Sequence, residues 1–308
     1  MHLHQRSAFP DDDVVQQFAT PASRNVIGKI ATLVPATVET DLRFTAPKNN
    51  SWTRAEEKAV LEAIDEKCLR VSFQPIFGTN GKAIALTKFE AFSIWGNKET
   101  GLIAPERAFE IAERFGRTNV LSDMLLMETF RRCQDLPYHI AITFNLTEQQ
   151  LLQPDLVSQV VRRASEMKFD LSRFVVEISE KIIADDMSAI RCRLHAFRNL
   201  GIQVALDDFG TCAAGISMLS ALPLDIVKID KSLLHGARDN DLQVSVLSSL
   251  VLLCGRLNMS TVIEGVECVK DFTIAKTCGF SEFQGFHFSR PLTIDRLEHS
   301  PVLRSIFV

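Results

Sequence analysis

The chain has 308 residues, of which 46% are hydrophobic and 23% are charged, a length that suits one large domain or two average ones with an ordinary globular core. Its 34 basic and 38 acidic residues give a net charge of −4, which excludes a broad basic surface for nucleic-acid polymers. The sequence has no apolar run near the roughly 20 residues of a membrane-spanning helix, and its start, MHLHQRSAFPDDDVV, lacks a signal-peptide core, so we expect a cytoplasmic protein without membrane contacts.

Residues 1–50 differ in composition from the rest of the chain. Four prolines and the acidic run Asp11–Asp13 interrupt them, and one weakly amphipathic stretch runs from Ser23 to Val34. Such a segment is typical of an extension that is partly disordered or that folds against a partner. We therefore predict an N-terminal extension over residues 1–50, through which a regulatory protein could bind, and a main domain over residues 51–300.

The main domain begins with a capping box, since Glu56 follows Thr53 by three residues and precedes a helix-rich stretch to Lys67. Eight β-rich runs then alternate with helical patterns, and this alternation predicts an α/β fold with a parallel sheet. About eight strands in roughly 220 residues indicate a (β/α)8 barrel. An open doubly wound sheet is the alternative, although no GxGxxG turn follows an early strand. The runs are 69–76, 83–91, 139–145, 173–178, 202–208, 225–230, 260–266 and 281–288.

Polar or ionisable residues end most of these runs, where buried parallel strands should be apolar. They are Gln74, Glu90, Asn145, Glu177, Asp207, Asp208, Lys228, Asp230, Glu264, Glu267 and Gln284. One carboxylate after a strand is usually a helix cap or a loop residue. Caps have no reason to recur at the same end of every strand, however. In a barrel these ends converge on one face, so we expect the side chains to meet around one cavity.

Several carboxylates in one cavity repel one another, and a divalent cation is the simplest compensation. Oxygen ligands select hard cations such as Mg²⁺ or Mn²⁺. The seven cysteines and seven histidines are mostly away from the strand ends, which argues against zinc. Such a site suits phosphoryl transfer or enolisation. Lys228 could stabilise a phosphate or orient water; the alternative, Schiff-base chemistry, is disfavoured because nearby carboxylates favour its ammonium form.

The segments that carry these residues resemble the EAL domain family of cyclic di-GMP phosphodiesterases over residues 55 to 292. The matching segments are FQPI (73–76), EAF (90–92), FNLTEQQL (144–151), VEISE (176–180), ALDDFGT (205–211), LPLDIVKIDKS (222–232), EGVE (264–267) and QGFHFSRPL (284–292). The resemblance implies a modified TIM barrel, which agrees with the alternation of strands and helices.

The resemblance also implies roles for individual residues and a pair of Mg²⁺ or Mn²⁺ ions. The implied ligands of the first ion are Glu90, Asn145, Glu177 and Asp207. The implied catalytic set is Lys228, Glu264, Glu267 and Asp208, of which Asp208 also holds the second ion. The implied substrate-binding set is Gln74, Gln284 and Asp230. Glu180 is expected to anchor the loop that follows Asp207 and Asp208.

By the same resemblance, the chain is expected to cleave one phosphodiester bond of cyclic di-GMP, giving linear pGpG, and to act as a homodimer. Two features depart from the family. Ile94 stands where the family has an arginine that grips a substrate phosphate, and Phe92 replaces a leucine. The loop after the two aspartates reads Cys212-Ala-Ala-Gly-Ile216, with Cys212 in place of a glycine and Ala213 in place of an aromatic residue.

Two functions remain open from these features. The complete acidic set favours a phosphodiesterase with weakened substrate binding, since loss of a charge-assisted contact costs about 2–5 kcal/mol. The missing arginine and the altered loop favour a non-catalytic EAL module that acts as a cyclic di-GMP effector or as a protein-interaction regulator.

Overall fold

The structure is a computed structural model that describes residues 52–79, 83–97, 100–134, 136–182, 186–212, 215–293 and 296. The predicted extension over residues 1–50 lies outside the described residues, as do Ala213 and Ala214 of the altered loop. The boundary between extension and main domain therefore stays a prediction.

Strands and helices alternate along most of the described chain. The strands are β1 (Arg70–Thr79), β2 (Ile84–Asn97), β3 (Gly101–Ile103), β4 (Ala141–Leu146), β5 (Phe174–Ser179), β6 (Gln203–Phe209), β7 (Ile226–Ile229), β8 (Ser260–Ile263) and β9 (Glu282–Gln284). The helices are α1 (Arg54–Asp65), α2 (Pro105–Arg114), α3 (Thr118–Cys133), α4 (Glu148–Leu151), α5 (Leu156–Glu166), α6 (Met187–Asn199), α7 (Gly215–Ala221), α8 (Lys231–Gly236), α9 (Asp241–Arg256) and α10 (Val269–Cys278).

Eight of the strands close into a barrel, in the order β1-β9-β8-β7-β6-β5-β4-β2, with a further pairing between β1 and β2. The short strand β3 continues the sheet beyond β2 in antiparallel register. The pairs from β2 through β4 to β9 are parallel, and helices lie between most of these strands. The predicted modified TIM barrel is therefore confirmed.

Strand β1 is antiparallel to both of its neighbours, β2 and β9. The alternation predicted a parallel sheet, and β1 is the exception to it in this barrel. Only four residues separate Thr79 from Ile84, whereas a parallel crossover needs a dozen or more. The short connection forces a hairpin, and the reversed strand brings its N-terminal half to the same barrel mouth as the C-terminal ends of the parallel strands.

The barrel interior is filled by a layer of apolar side chains beneath this mouth. These side chains are Ile76, Val175, Ala205, Ile226 and Val262, with Ala141 packed against them. Lys88 and Glu282 form a mostly buried ion pair at the same level. Side chains alternate along a strand, so the next inward-facing residue toward the mouth lies two positions further along each strand. On β2, β5 and β7 these residues are Glu90, Glu177 and Lys228.

The helices pack on the outside of the barrel. On α3, for example, the ring of Phe130 lies edge-on to Phe174 of β5 at a centroid distance of 4.9 Å. The capping box predicted for α1 is present: the Glu56 N–H donates to Thr53 Oγ1 at 3.2 Å, and the Thr53 N–H donates to Glu56 Oε2 at 2.6 Å. Among the described residues, no helix has the length and apolar character needed to cross a membrane.

Candidate active site

Lys228 is buried at the centre of a ring of carboxylates near the barrel mouth. Its side chain is 1% exposed. Its Nζ lies 2.8 Å from Glu264 Oε1, 2.9 Å from Glu90 Oε2, and 3.1 Å from both Glu177 Oε2 and Asp207 Oδ1. These residues come from β2, β5, β6, β7 and the position after β8. The expectation that strand-end residues distant in sequence meet in one place therefore holds for these five.

The sheet register explains this convergence. Lys228 is the register partner of Val262 on β8, and Glu264 follows two residues later on the same face. The Glu264 N–H donates to the Ile229 carbonyl at 3.0 Å, so the ladder continues one residue beyond β8. Glu177 is the register partner of Asn145 on β4, which places both at the same height in the barrel.

Three amides complete the surroundings of Glu90. Asn145 Nδ2 donates to Glu90 Oε1 at 2.9 Å, and Gln284 Nε2 donates to Glu90 Oε2 at 2.7 Å. Gln284 Nε2 also lies 3.2 Å from Gln74 Oε1. Gln74 was expected at a strand end, but it lies in the middle of β1, directly opposite Glu90. It reaches the site because β1 runs antiparallel to β2.

Burial and ion pairing act in opposite directions on the acidic groups. Burial raises the pKa of Glu90, but Lys228 and the hydrogen bonds from Gln284 and Asn145 bring that pKa below its ordinary value. Burial and the neighbouring charge of Glu90 hold the pKa of Glu177 well above its ordinary value. Burial likewise raises the pKa of Asp207.

The same balance between burial and ion pairing sets the charge of Glu264 and of Lys228. Burial raises the pKa of Glu264 to about 8. Burial disfavours the ammonium form of Lys228, but the surrounding carboxylates outweigh it and hold its pKa well above the ordinary value. Lys228 is therefore a cation, and it cannot serve as a base or as a neutral amine nucleophile.

The carboxylates form two groups that could hold metal ions. In one, oxygens of Glu90, Glu177 and Asp207 all lie within 4.8 Å of one another; in the other, oxygens of Asp207, Asp208 and Glu264 do. Asp207 belongs to both. Glu177 Oε1 is buried and has no hydrogen-bond partner among the described residues, and an unpaired buried carboxylate oxygen is costly. An oxygen-ligated hard cation fits this donor set.

Glu180 lies directly after β5 and binds the loop that follows Asp207 and Asp208. Its Oε2 accepts three consecutive backbone N–H groups, those of Gly210 at 2.8 Å, Thr211 at 3.0 Å and Cys212 at 3.1 Å. The Glu180 carboxylate therefore fixes the start of the altered loop, although Ala213 is outside the described residues.

Asp208, Asp230 and Glu267 do not contact the Lys228 ammonium in the described part of the chain. Asp208 pairs with Lys181 at 2.7 Å, and Asp230 caps α8 by accepting the Ser232 N–H at 2.8 Å. Glu267 is about half exposed, and its nearest cation is Arg238 at 3.6 Å. All three nevertheless line the same cavity as the carboxylate ring.

This cavity, at the barrel mouth, has a volume of about 700 Å³, which is within the range of small-ligand sites. The predicted site residues that line it are Gln74, Glu90, Asn145, Asp207, Asp208, Asp230, Glu264, Glu267 and Gln284. Lys181 and Phe286 are among the lining residues that were not singled out from the sequence. Phe286 is 49% exposed, and the Arg290 guanidinium lies 4.3 Å from its ring centroid. Lys181 comes directly after VEISE and Phe286 directly after QG, and these positions could have indicated both residues.

Ile94 lies on β2, four residues after Glu90 and on the same face of the strand. Its side chain is half-buried, and its cross-strand partner on β1 is Arg70. The aliphatic side chain offers no donor for an anion, while Arg70 donates to the Gly96 carbonyl at 3.4 Å.

Comparison with known proteins gives consistent matches over the barrel. Residues 57–291 match the sequence profile of the EAL domain. The cyclic di-GMP phosphodiesterase PdeR of Escherichia coli strain K12 is 26% identical over 234 residues, which are 75% of this chain and 35% of PdeR. The chain spans about a third of the length of the curated relatives it matches.

Solved structures share the fold. The PaMucR phosphodiesterase in complex with c-di-GMP superposes with a TM-score of 0.71 at 24% identity, covering 78% of this chain and 98% of that chain. BlrP1 of Klebsiella pneumoniae, solved as a manganese and cyclic di-GMP complex, gives a TM-score of 0.66 at 25% identity and covers 73% of this chain and 56% of that chain.

Proposed function

This chain belongs to the EAL domain family, and from that membership we propose that it is a metal-dependent cyclic di-GMP phosphodiesterase with weakened substrate binding. One observation carries the proposal: four carboxylates surround the buried Lys228 ammonium at the mouth of the barrel, each within 3.1 Å of it. A chain that had lost catalysis would have little reason to keep so costly a cluster.

We assign the first cation to the group that contains Glu90, Glu177 and Asp207, with Asn145 beside it, and the second to Asp207, Asp208 and Glu264. Mg²⁺ and Mn²⁺ both suit these oxygen ligands. Divalent cations in such a site supply charge stabilisation for the phosphoryl group and acidify water. The reaction adds water to one phosphorus of cyclic di-GMP and breaks one P–O ester bond, which leaves linear pGpG.

The chain's own residues fix charge and orientation around that phosphate. Lys228 holds a permanent positive charge where negative charge develops on the phosphoryl oxygens. Gln284 and Asn145 hold the two oxygens of Glu90 from different sides, so this carboxylate cannot rotate freely. Gln74, which contacts Gln284, extends this polar network toward the substrate cavity.

The direct test is incubation of the full chain with cyclic di-GMP and either Mg²⁺ or Mn²⁺, with separation of the nucleotides by chromatography. We expect pGpG to form, and a chelator to stop its formation. Absence of product at high protein concentration, together with tight ligand binding, would contradict the phosphodiesterase assignment.

The second candidate is a non-catalytic cyclic di-GMP effector or protein-interaction regulator, and the observation that favours it is Ile94. This position has an aliphatic side chain, so the chain lacks the arginine with which the family binds a substrate phosphate. Calorimetric titration with cyclic di-GMP in the presence of a chelator measures binding, and the assay with Mg²⁺ or Mn²⁺ measures turnover; the two results together separate the candidates. Binding without turnover supports the effector, and neither binding nor turnover leaves the protein-interaction role, for which residues 1–50 offer a segment.

We also propose that the chain forms a homodimer through α9. Residues 242–255 of this helix carry no charge, yet Leu242 is 73% exposed and Leu252 is 71% exposed. The hydroxyls of Ser245 and Ser249 donate to carbonyls four residues earlier, at 3.0 and 2.8 Å, so they need no external partner. A surface helix normally carries charged or polar residues on its outer face, so an outer face that has no charge and exposes two leucines favours burial against a partner.

A second copy of the chain is the occupant that best matches this face. A two-fold axis pairs a surface with itself, and an antiparallel pair of α9 helices brings Asp241 of one copy toward Arg256 of the other. The charge-free centre then meets a charge-free centre, and the charged ends of α9 meet as opposite charges.

A further inference from the structure

Lys181 lies at the edge of the cavity, directly after Glu180, and its ammonium contacts Asp208. Lys181 Nζ is 2.7 Å from Asp208 Oδ2, and the two side chains are 60% and 34% exposed. Within the described residues, Lys181 is the cation that pairs with Asp208. The contact is close enough for a charge-assisted hydrogen bond between an ammonium and a carboxylate, and a lysine side chain of ordinary exposure is an ammonium at neutral pH.

The backbone holds Asp208 in place while Lys181 approaches it. Asp208 has φ of +57°, a left-handed conformation that is uncommon for a residue with a side chain. Its carbonyl accepts the Thr211 N–H at 3.3 Å and the Thr211 hydroxyl at 2.9 Å. The carboxylate direction is therefore set by the loop, whereas the long and mostly exposed lysine side chain can move.

The charges around the two carboxylate groups show why this lysine matters. The groups contain five carboxylates, those of Glu90, Glu177, Asp207, Asp208 and Glu264. Lys228 and Lys181 supply two positive charges, so the net charge is −3 when all groups are ionised. One divalent cation would leave −1, and a second would make the site positive. Without Lys181, two divalent cations and Lys228 would balance the five carboxylates.

We propose that Lys181 competes with the second divalent cation for Asp208, so that the chain binds one cation tightly and a second one weakly. The inference rests on the proposed function, which assigns two cations to this site. Lys181 would thereby set the metal concentration at which the site becomes fully loaded. The effect is electrostatic, because an ammonium within a few ångströms of a divalent cation repels it.

The test is a titration of the full chain with Mn²⁺ in the absence of nucleotide, with free Mn²⁺ measured by electron paramagnetic resonance. For the wild type we expect one tight site and a second site at least about 10-fold weaker. Lys181→Met removes the charge and keeps the length of the side chain. It should tighten the second site by about 10-fold, as expected for loss of a nearby like charge, and change the first by less than about two-fold.

Two controls isolate the contact with Asp208. Lys231 lines the same cavity and forms no ion pair with Asp208 among the described residues, so Lys231→Met should leave both affinities within about two-fold. In an Asp208→Asn background the second site should be lost and Lys181→Met should have no effect on Mn²⁺ binding.

Two results would overturn the inference alone: two sites of similar affinity in the wild type, or a second site that Lys181→Met does not tighten. A wild type that binds no Mn²⁺ at all would overturn the two-cation site itself, and the inference with it. Because the readout is metal binding, a failure of hydrolysis would not produce either of the first two results.

Discussion

Glu90 accepts hydrogen bonds from Lys228, Asn145 and Gln284, at 2.9, 2.9 and 2.7 Å. It is the carboxylate through which the ammonium and the amides of the site are joined. Its ionised form is favoured, since the pKa lies below the ordinary value despite burial. A change at this position therefore alters charge at the centre of the site and leaves the barrel interior beneath it intact.

Glu90→Gln should abolish most metal-dependent turnover while the protein stays folded. The amide keeps the size of the side chain but removes one negative charge and one anionic ligand, and we expect a loss of at least about 100-fold in pGpG formation. Mn²⁺ affinity should fall in the same variant.

Glu282→Gln is the matched control, because Glu282 is a buried barrel carboxylate that pairs with Lys88 in the layer of side chains below Glu90. It should lower stability and retain Mn²⁺ binding; equal turnover in Glu90→Gln and wild type would contradict the metal role.

Ile94→Arg should tighten cyclic di-GMP binding by about 10-fold or more, because it restores a charge-assisted contact to a phosphate. Calorimetry measures the change, and Ile94→Leu is the control that should bind as the wild type does. Arg70 lies directly opposite position 94, and like charges in that register destabilise a sheet. The double variant Arg70→Thr, Ile94→Arg removes this repulsion. Unchanged affinity in both arginine variants would show that the cavity differs from that of the family.

Sequence patterns reveal residue types at a site more readily than contacts between them. The Thr53–Glu56 capping box could be predicted because both partners are local. The contact between Lys181 and Asp208 joins residues 27 positions apart, and no periodicity indicates it. Gln74 lines the cavity for a reason other than the predicted strand end, since it lies in the middle of β1 and strand direction depends on a hairpin and not on the residue itself.

Among the elements, the helix α10 has an N-terminus that is fixed by a buried acid. Asp271 has a side chain that is fully buried. Its carboxylate accepts Arg238 Nε at 2.7 Å and Arg238 Nη2 at 2.9 Å, and also the N–H groups of Glu267 and Cys268 at 3.0 and 3.2 Å. These contacts tie α10 to the segment that carries Glu264 and Glu267, so the element positions part of the cavity wall.

Asp271 should make stability depend on pH in the acidic range. The hydrogen bonds from Arg238 and the backbone hold the pKa of Asp271 at about 2, below its ordinary value of 3.8. Because the folded pKa is the lower one, the stabilisation is fully present above the ordinary value and is lost as the pH falls from about 4 to about 2. Because its partner Arg238 is partly exposed and solvent screens that charge, the contribution of Asp271 to the free energy of unfolding is about 1–2 kcal/mol.

Urea denaturation at a series of pH values checks this expectation. Asp271→Asn should be less stable than the wild type at pH 7 and should lose less stability between about pH 5 and pH 2. Asp239→Asn is the matched control, since Asp239 is 90% exposed and pairs with Lys270 at the surface, and it should keep the wild-type pH dependence. A wild-type pH dependence in Asp271→Asn would contradict the assignment.

The longer elements could be predicted from sequence, and the shorter ones could not. The pattern over 105–115 predicts α2, which is Pro105–Arg114, because Pro105 marks its first turn and the apolar positions repeat at helical spacing. No such pattern predicts α7 or α8, since seven and six residues are too few to show a period. The hairpin of β1 and β2 was missed because both strands read as ordinary apolar runs.

At the scale of the whole molecule, one reversed strand connects the barrel to its site. Closure occurs where β1 pairs with both β2 and β9, and this pairing places Gln74 against Glu90 and near Gln284. The strand pattern could predict a barrel of about eight strands, but not the direction of the strand that closes it. That direction follows from the length of one connection, which carries no hydrophobic pattern.

The assembly of two such barrels is tested by exchanging charges at the ends of α9. Leu252→Arg places a cation in the apolar face and should leave the chain monomeric, whereas Val120→Arg, at an exposed position of α3, should not. Asp241→Arg and Arg256→Asp should each weaken the dimer, because each one brings like charges together in an antiparallel pair. The double variant should regain most of the wild-type association, since opposite charges face each other again.

Light scattering over a range of protein concentrations measures the dimer in each variant. Recovery in the double variant distinguishes antiparallel contact between two α9 helices from burial of the same face by another segment, because only a self-paired surface carries both exchanged charges at once. A wild type that is monomeric at every concentration would overturn the assembly, and a dimer that survives Leu252→Arg would move it to another surface. Neither result would change the expected chemistry at Lys228, since the carboxylate ring is built within one barrel.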